Sequence, residues 1–331
     1  MKCINKKRLI TLLICLIFSI NSIGCGKFNS DDKYISYDVY ESSDLYSITN
    51  NSPQYSNQDF FAKNLAVASS DDIGVSTVDS QVAGAGAAFN LDTNSVVYAQ
   101  NIHGRIYPAS TTKIMTCLVT CLYADLDTVV TVSENAVNQP DDSALCGLKA
   151  KDTLTIRDLL YGLMLRSGND AAISIAEAVS GDIESFAELM NQTAYALGAT
   201  NTHFVNPNGM HDENHYTTCY DMYLILNAAL KNEEFKSIFT SNEYTAVVNR
   251  DGKENTLDWT TTIQYHKGKT PTPTGFTILG GKTGTTGAAG YCLVLLSENE
   301  RGETIISVVF NADCRSNLYL LMNQILSGYC A

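Results

Sequence analysis

The chain has 331 residues, of which 45% are hydrophobic, and a formal net charge of −13. This length supports one sizeable core with extensions. An acidic chain without a basic stripe excludes nucleic acid as a partner, and its charge speaks to solubility and not to fold.

The N-terminus has the pattern of an export signal. Lys2, Lys6, Lys7 and Arg8 precede a short apolar run from Leu9 to Ile20, too short to span a membrane comfortably. Ser22-Ile23-Gly24-Cys25 resembles a bacterial lipobox, with Ser22 where leucine is preferred. Lipidation at Cys25 is the favoured reading, ahead of an uncleaved anchor or plain secretion. Residues 1–25 are thus read as a signal. Residues 26–81, rich in Ser, Asn, Asp and Tyr without sustained periodicity, read as a tether with no core of its own. Residues 82–331 form the predicted folded domain. Beyond the signal stand Cys117, Cys121, Cys146, Cys219, Cys292, Cys314 and Cys330. An odd number without close pairs argues against a dense disulfide framework or a zinc ribbon, and leaves one or two bridges open.

Within the domain, Gly86–Phe89 and Ser95–Ala99 read as strands around an Asp92-Thr93-Asn94 turn. After Tyr107-Pro108-Ala109, Ser110 opens a helix, with Lys113 one turn on and on the same face. Ile114, Cys117, Leu118, Cys121 and Leu122 mark its buried side. Val129–Val132 is a short strand. Thr155-Ile156-Arg157-Asp158 is a capping box that opens a helix bearing Leu159, Leu160, Leu163 and Met164. That helix breaks at Arg166-Ser167-Gly168-Asn169-Asp170. Helices follow over 171–180 and 183–197, then a loop at 202–210 and a helix opened by Thr218 and Asp221 through Leu230. Residues 232–270 suggest only short strands and loops. Strands return at 277–286, 291–297 and 304–310, and a helix over 316–326 closes the chain. With strands at both ends and helices between, one sheet assembled from the two ends is predicted.

Three short motifs stand in this order: Ser110-Thr111-Thr112-Lys113, Ser167-Gly168-Asn169 and Lys282-Thr283-Gly284. A serine hydroxyl needs a base to become a nucleophile, and a lysine is a base only when neutral, which burial or a nearby cation favours. Each motif alone is common. Together they match the S-x-x-K, S-D-N and K-T-G set of penicillin-binding proteins and class A β-lactamases, with Gly168 in place of the middle Asp of the second motif. The S-G-N form, His203-Phe204-Val205-Asn206-Pro207-Asn208-Gly209-Met210, His215-Tyr216-Thr217-Thr218 and Lys282-Thr283-Gly284-Thr285-Thr286 resemble the serine-type D-alanyl-D-alanine carboxypeptidases, the low-molecular-weight penicillin-binding proteins. The resemblance covers about residues 82–328. Thr285 stands where an aromatic or His is common, and Met210 where Leu is.

The resemblance implies an α/β (α+β) fold of the β-lactamase/DD-peptidase type: an antiparallel sheet flanked by helices, a helical subdomain inserted, and no C-terminal β domain. It implies that Ser110 forms an acyl-enzyme, Lys113 takes its proton, Ser167 relays a proton to the leaving amine, and Asn169 orients Lys113. Lys282, Thr283 and Thr285 would hold the substrate carboxylate. Gly284 would leave room for substrate, and the Ser110 and Thr285 N–H groups would form the oxyanion hole. Implied partners are a peptidoglycan pentapeptide, β-lactam antibiotics as covalent inhibitors, and the membrane through the N-terminal lipid. No cofactor and no metal are expected. His211 and His215 have the i, i+4 spacing of zinc ligands, but Asn206-Pro207-Asn208-Gly209 places them in a loop, without the Glu of H-E-x-x-H. The rival functions are a β-lactamase, for which Glu188 lies too early in the chain, and a non-catalytic peptidoglycan-binding lipoprotein, which would have no need of Ser110, Lys113 and Lys282.

Overall fold

The computed structural model describes residues 64–331. The signal segment, Cys25 and most of the expected tether lie outside the described residues.

The predicted joining of the two chain ends is present. β1 (Ala83–Asn90) and β2 (Ser95–Gln100) form a hairpin. At its turn the Asn90 carboxamide oxygen accepts from the Asp92 and Thr93 N–H groups, both at 3.0 Å. β1 then pairs with the last strand, β9 (Thr304–Ala312), and the sheet runs β2-β1-β9-β8-β7, antiparallel throughout. β7 (Phe276–Thr286) and β8 (Gly290–Asn299) complete it.

Because successive strand residues point to opposite faces, the sheet separates two cores. Ala85, Ala87 and Phe89 of β1, Val294 and Leu296 of β8, and Ile306, Val308 and Phe310 of β9 join the larger core beneath the helices. Leu293, Leu295, Ile305 and Val309 face the closing helix α8 (Arg315–Tyr329). Burial on both faces explains why these strands read as apolar runs and not as alternations.

The helical block contains α1 (Lys113–Tyr123), α2 (Glu134–Val137), α3 (Ile156–Tyr161), α4 (Asn169–Ser180), α5 (Ile183–Ala196), α6 (Cys219–Ala229) and α7 (Glu233–Phe239). The predicted capping box is present: Thr155 Oγ1 accepts from Asp158 N–H at 3.0 Å, and the Asp158 carboxylate accepts from Thr155 N–H at 3.1 Å. α1 is buried along Lys113–Thr120, but Leu122, expected on its buried face, is 51% exposed.

A second sheet, β3-β4-β5-β6, comprises β3 (Val129–Thr131), β4 (Thr153–Thr155), β5 (Glu243–Arg250) and β6 (Lys253–Thr260). The stretch 232–270, expected to hold only short strands and loops, thus contains a hairpin of two eight-residue strands. Its turn is Asp251-Gly252, with φ of 53° and 76°, the conformation that two-residue hairpins favour.

Ordered packing also begins ahead of Val82. Ala66 N–H donates to the Tyr223 hydroxyl at 2.8 Å, and Ile73 forms a bridge with Ala99. Residues 64–81 therefore lie on the domain, where the sequence suggested tether. All seven cysteines among the described residues are free thiols. No helix among them is long and apolar enough to cross a membrane.

Candidate active site

Pro108 leads into a 3-10 turn, Ala109–Thr112, which continues as α1. Ala109 adopts φ +47°, a left-handed conformation that a side chain resists. It sets Ser110 at the start of the turn, half-exposed above the edge strand β7. Gly284 allows the strand to come this close. A Cβ there would stand 2.9 Å from both Pro108 O and Ser110 N. Gly284 also borders the open cleft, so its missing Cβ serves the approach of the Ser110 turn to β7 as well.

Lys113 is fully buried, and its Nζ meets three oxygens: Ser110 Oγ at 3.0 Å, Asn169 Oδ1 at 2.8 Å and the Asn208 carbonyl at 2.6 Å. Lost hydration and the like charge of Lys282 hold its pKa well below the ordinary lysine range. A neutral amine has two N–H groups and one lone pair. Asn169 Oδ1 and the Asn208 carbonyl can only accept, so they take the two N–H groups and leave the lone pair for the Ser110 hydroxyl proton.

The third and fourth functional side chains come from one irregular segment. α3 passes into a π-helical turn, Gly162–Arg166, which ends at Ser167 with φ +61°. Gly168 restores extended geometry and α4 starts at Asn169. Ser167 Oγ accepts from Lys282 Nζ at 2.9 Å, while Asn169, two residues on, reaches Lys113. The Asp170 carboxylate fixes this segment, accepting from the N–H groups of Cys146, Leu148 and Ala171 at 2.9, 3.2 and 2.9 Å.

Lys282 is also fully buried, with Nζ donating to Ser167 Oγ and to the Thr283 carbonyl at 3.0 Å. Burial pushes its pKa down to about 7. The cation expected at the substrate carboxylate thus stands one layer behind Ser167. The Thr283 and Thr285 side chains face the open cleft, and Thr283 Oγ1 lies 2.7 Å from Thr262 Oγ1.

The cleft has a volume of about 410 Å³, and its walls include Ser110, Ser167, Asn169, Thr283, Gly284 and Thr285. The structure therefore brings every sequence-predicted residue of the three motifs, with Thr285, into or directly behind one cavity. It adds four that the sequence reading missed. Asn208 supplies a backbone carbonyl, which no side-chain pattern reveals. Gly209, at φ +82°, packs so tightly that a Cβ would stand 1.9 Å from the Ala109 carbonyl oxygen. Its glycine after Asn206-Pro207-Asn208 is a turn signal that suggested this. Asp170 follows directly on the second motif. Arg315, at the start of α8, lines an adjoining cavity with Thr283 and Thr285, and its Cζ stands 5.8 Å from the centre of the Tyr291 ring. Nothing in the local sequence marks it.

The histidines serve the frame. His215 is buried, with Nε2 2.8 Å from Thr112 Oγ1 and Nδ1 accepting from Val205 N–H at 3.2 Å. His211 stacks edge-on against Tyr107 at the cleft rim, with ring centres 4.6 Å apart. Among the described residues no group of three or more His, Cys, Asp or Glu side chains is arranged to hold a metal.

The Ser110 hydroxyl thus stands beside a buried, dehydrated lysine at the edge of an antiparallel sheet covered by helices on both faces. The chain belongs to the D-alanyl-D-alanine carboxypeptidase family, whose profile matches residues 74–314. It is 34% identical over 226 residues to D-alanyl-D-alanine carboxypeptidase DacF of Bacillus subtilis, covering 67% of this chain and 55% of that one. It is 34% identical over 238 residues to the D-alanyl-D-alanine carboxypeptidase of Streptomyces sp. strain K15, covering 68% and 79%. The crystal structure of the Streptomyces K15 DD-transpeptidase superposes with a TM-score of 0.67 at 29% identity, over 78% of this chain and 100% of that one. The chain spans about half the length of several of the curated relatives it matches.

Proposed function

We propose that the protein is a serine D-alanyl-D-alanine carboxypeptidase that trims the terminal D-alanine from peptidoglycan stem peptides through an acyl-enzyme on Ser110. β-Lactams acylate the same hydroxyl. The observation that carries this reading is the 3.0 Å contact between Ser110 Oγ and a fully buried Lys113 whose other two partners are obligate acceptors.

Ser110 Oγ attacks the carbonyl carbon of the penultimate D-alanine as its proton passes to Lys113 Nζ. The developing oxyanion is met by the Ser110 and Thr285 N–H groups, each such donor being worth about 10²–10³ in rate. The C–N bond then breaks, and the leaving amine takes a proton through Ser167, which Lys282 orients. Water attacks the acyl carbon as Lys113 takes its proton; the ester C–O bond then breaks, Lys113 returns that proton to Ser110 Oγ, and the acid product leaves. The terminal carboxylate of the substrate lies at the Thr283 and Thr285 hydroxyls, with Arg315 as its permanent cation.

A β-lactamase would need a carboxylate poised to deacylate the serine. Glu188 is exposed on α5, where it accepts from Gln192 Nε2 at 3.1 Å. Among the described residues, the cleft's lining holds one carboxylate, that of the exposed Asp142.

Purified protein given a diacyl-L-lysyl-D-alanyl-D-alanine peptide is expected to release D-alanine and to be labelled stably by a fluorescent penicillin. Ser110→Ala should lose both; D-alanine release by that variant would sink the mechanism. The enzyme acts in the cell wall, held on the outer face of the membrane by a lipid on Cys25. Cys25→Ala should shift it from the membrane to the soluble fraction, and retention there would overturn the lipid anchor.

A further inference from the structure

His215 is buried, and its two ring nitrogens face different segments. Nδ1 accepts from the Val205 N–H, so it carries no proton, and the neutral ring holds its proton on Nε2. Nε2–H then donates to Thr112 Oγ1, on a fully buried side chain. Thr112 ends the 3-10 turn, between Ser110 and Lys113. Val205 opens the loop whose Pro207 and Asn208 carbonyls accept from Thr116 Oγ1 and Lys113 Nζ, at 2.6 Å each. One ring thus joins the turn that carries Ser110 and Lys113 to the loop that holds the Lys113 amine. Neighbours fix the ring in its place. His215 N–H donates to the Asp212 carbonyl at 3.0 Å, and Phe204 lies edge-on to the ring with centres 5.5 Å apart. Asn191 on α5 grips Phe204, its Oδ1 accepting from the Phe204 N–H at 2.7 Å and its Nδ2 donating to the Phe204 carbonyl at 2.8 Å.

We propose that His215 is a positioning residue for acylation: as a single neutral tautomer it sets the spacing between the Ser110–Lys113 turn and the Asn208 carbonyl. That role presupposes the acylation reading of Ser110. Contact on both sides makes the bridge sensitive to charge. A second proton enters at Nδ1, where it faces the Val205 N–H, and two donors cannot share one bond. The loop must then retreat, and the Asn208 carbonyl with it. Burial pushes the His215 pKa down to about 4; Asp212 pulls it up, while His203, His211 and Lys113 add to the fall. The bridge is therefore intact at neutral pH and opens as pH falls through about 4.

The test measures the second-order rate of labelling by a fluorescent penicillin. In His215→Asn the carboxamide oxygen takes the place of Nδ1 and keeps the acceptor for Val205. In His215→Gln the carboxamide nitrogen reaches the place of Nε2 and keeps the donor to Thr112. Each is expected to lose about tenfold at pH 7, and His215→Ala, which keeps neither contact, about 10²-fold. Thr112→Val should cost about tenfold in the wild type and under about twofold in His215→Asn, where the contact with Thr112 is already gone. The advantage of the wild type over His215→Asn should shrink as pH falls through about 4, since protonation of Lys113 is common to both and cancels in the ratio. Three results would each overturn the positioning role: His215→Ala labelled within about threefold of wild type, a Thr112→Val cost equal in the two backgrounds, or a ratio that stays level with pH. The last two decide the matter even where His215→Ala does not fold. A wild type that takes no label would overturn the acylation reading and this role with it.

Discussion

Replacing Gly209 by alanine isolates the contribution of the loop behind Ser110. Gly209 has φ +82°, where a Cβ costs about 1–2 kcal/mol. That Cβ would also stand 1.9 Å from the Ala109 carbonyl oxygen and 2.9 Å from Ser110 N. Both neighbours are backbone atoms, so the contact cannot be relieved by a side-chain rotation. The loop and the 3-10 turn must separate by about 1 Å or more, at a further cost of about 1–3 kcal/mol for overpacking. The displaced loop includes the Asn208 carbonyl, 2.6 Å from Lys113 Nζ, and the Pro207 carbonyl, which accepts from Thr116 Oγ1 at 2.6 Å. Shifting the groups that position nucleophile and base by this distance costs on the order of 10²-fold in rate. Gly209→Ala is therefore expected to lose about 2–5 kcal/mol of stability in urea titrations and about 10²-fold in the second-order rate of labelling by a fluorescent penicillin. A variant acylated within about threefold of wild type would refute the claim that this loop positions Ser110 and Lys113, whatever its stability.

Three further outcomes are expected. Lys282→Met removes the like charge that, after burial, depresses the pKa of Lys113; the acid limb of the acylation–pH profile should move to higher pH, and an unmoved limb would remove Lys282 from the account of Lys113's neutrality. His215, its pKa pushed down to about 4 by burial, refuses a proton that the unfolded chain accepts near pH 6.5. Stability should then be level above about pH 6.5 and fall by about 3 kcal/mol as pH drops towards 4, and His215→Asn should flatten the decline in urea midpoints across that window. Asp170→Ala strips the acceptor from three buried N–H groups, so a loss of about 2–4 kcal/mol is expected; wild-type thermal stability in this variant would show that the loop is held by other means.

Much of this arrangement was legible in the chain. The order of the three motifs, the capping box at Thr155 and the apolar runs at both ends led to the sheet of joined termini and to the residues of one cleft. What escaped notice has identifiable causes. The β5–β6 hairpin is mostly exposed, so its strands lack the apolar runs that marked the others, although Asp251-Gly252 was a usable turn signal. Residues 64–81 read as polar linker because few of their side chains are buried; their attachment rests largely on backbone contacts such as that between Ile73 and Ala99. Asn208 acts through its carbonyl and Arg315 through its place at the start of α8, and neither role leaves a local pattern. The position of Lys282 depends on which way β7 presents alternate side chains, which register against β8 decides.

The irregular backbone at the cleft has a geometric purpose. Two lysines lie side by side, and each needs a different oxygen partner from the same short segment. A continued α-helix would separate Ser167 and Asn169 by about 200° around its axis, so they could not serve neighbouring amines on one wall. The π-helical turn, the left-handed Ser167 and the restart of α4 at Asn169 replace that continuation, and Ser167 turns to Lys282 while Asn169 turns to Lys113. Left-handed residues cost about 1–3 kcal/mol each. The buried Asp170 carboxylate, tied to the Ala171 N–H just past the break and to the Cys146 and Leu148 N–H groups of the neighbouring loop, offsets a cost of that size. The same division holds across the cleft, where the left-handed Ala109 sets Ser110 and Gly209 backs it. Strain sits on the two residues that aim the hydroxyls, and the residues that oppose it, Asp170 and Gly209, lie just behind them. The positions least expected from helix and strand propensity are thus the ones that set Ser110 and Ser167 on the cleft wall with Lys113 and Lys282 directly behind them.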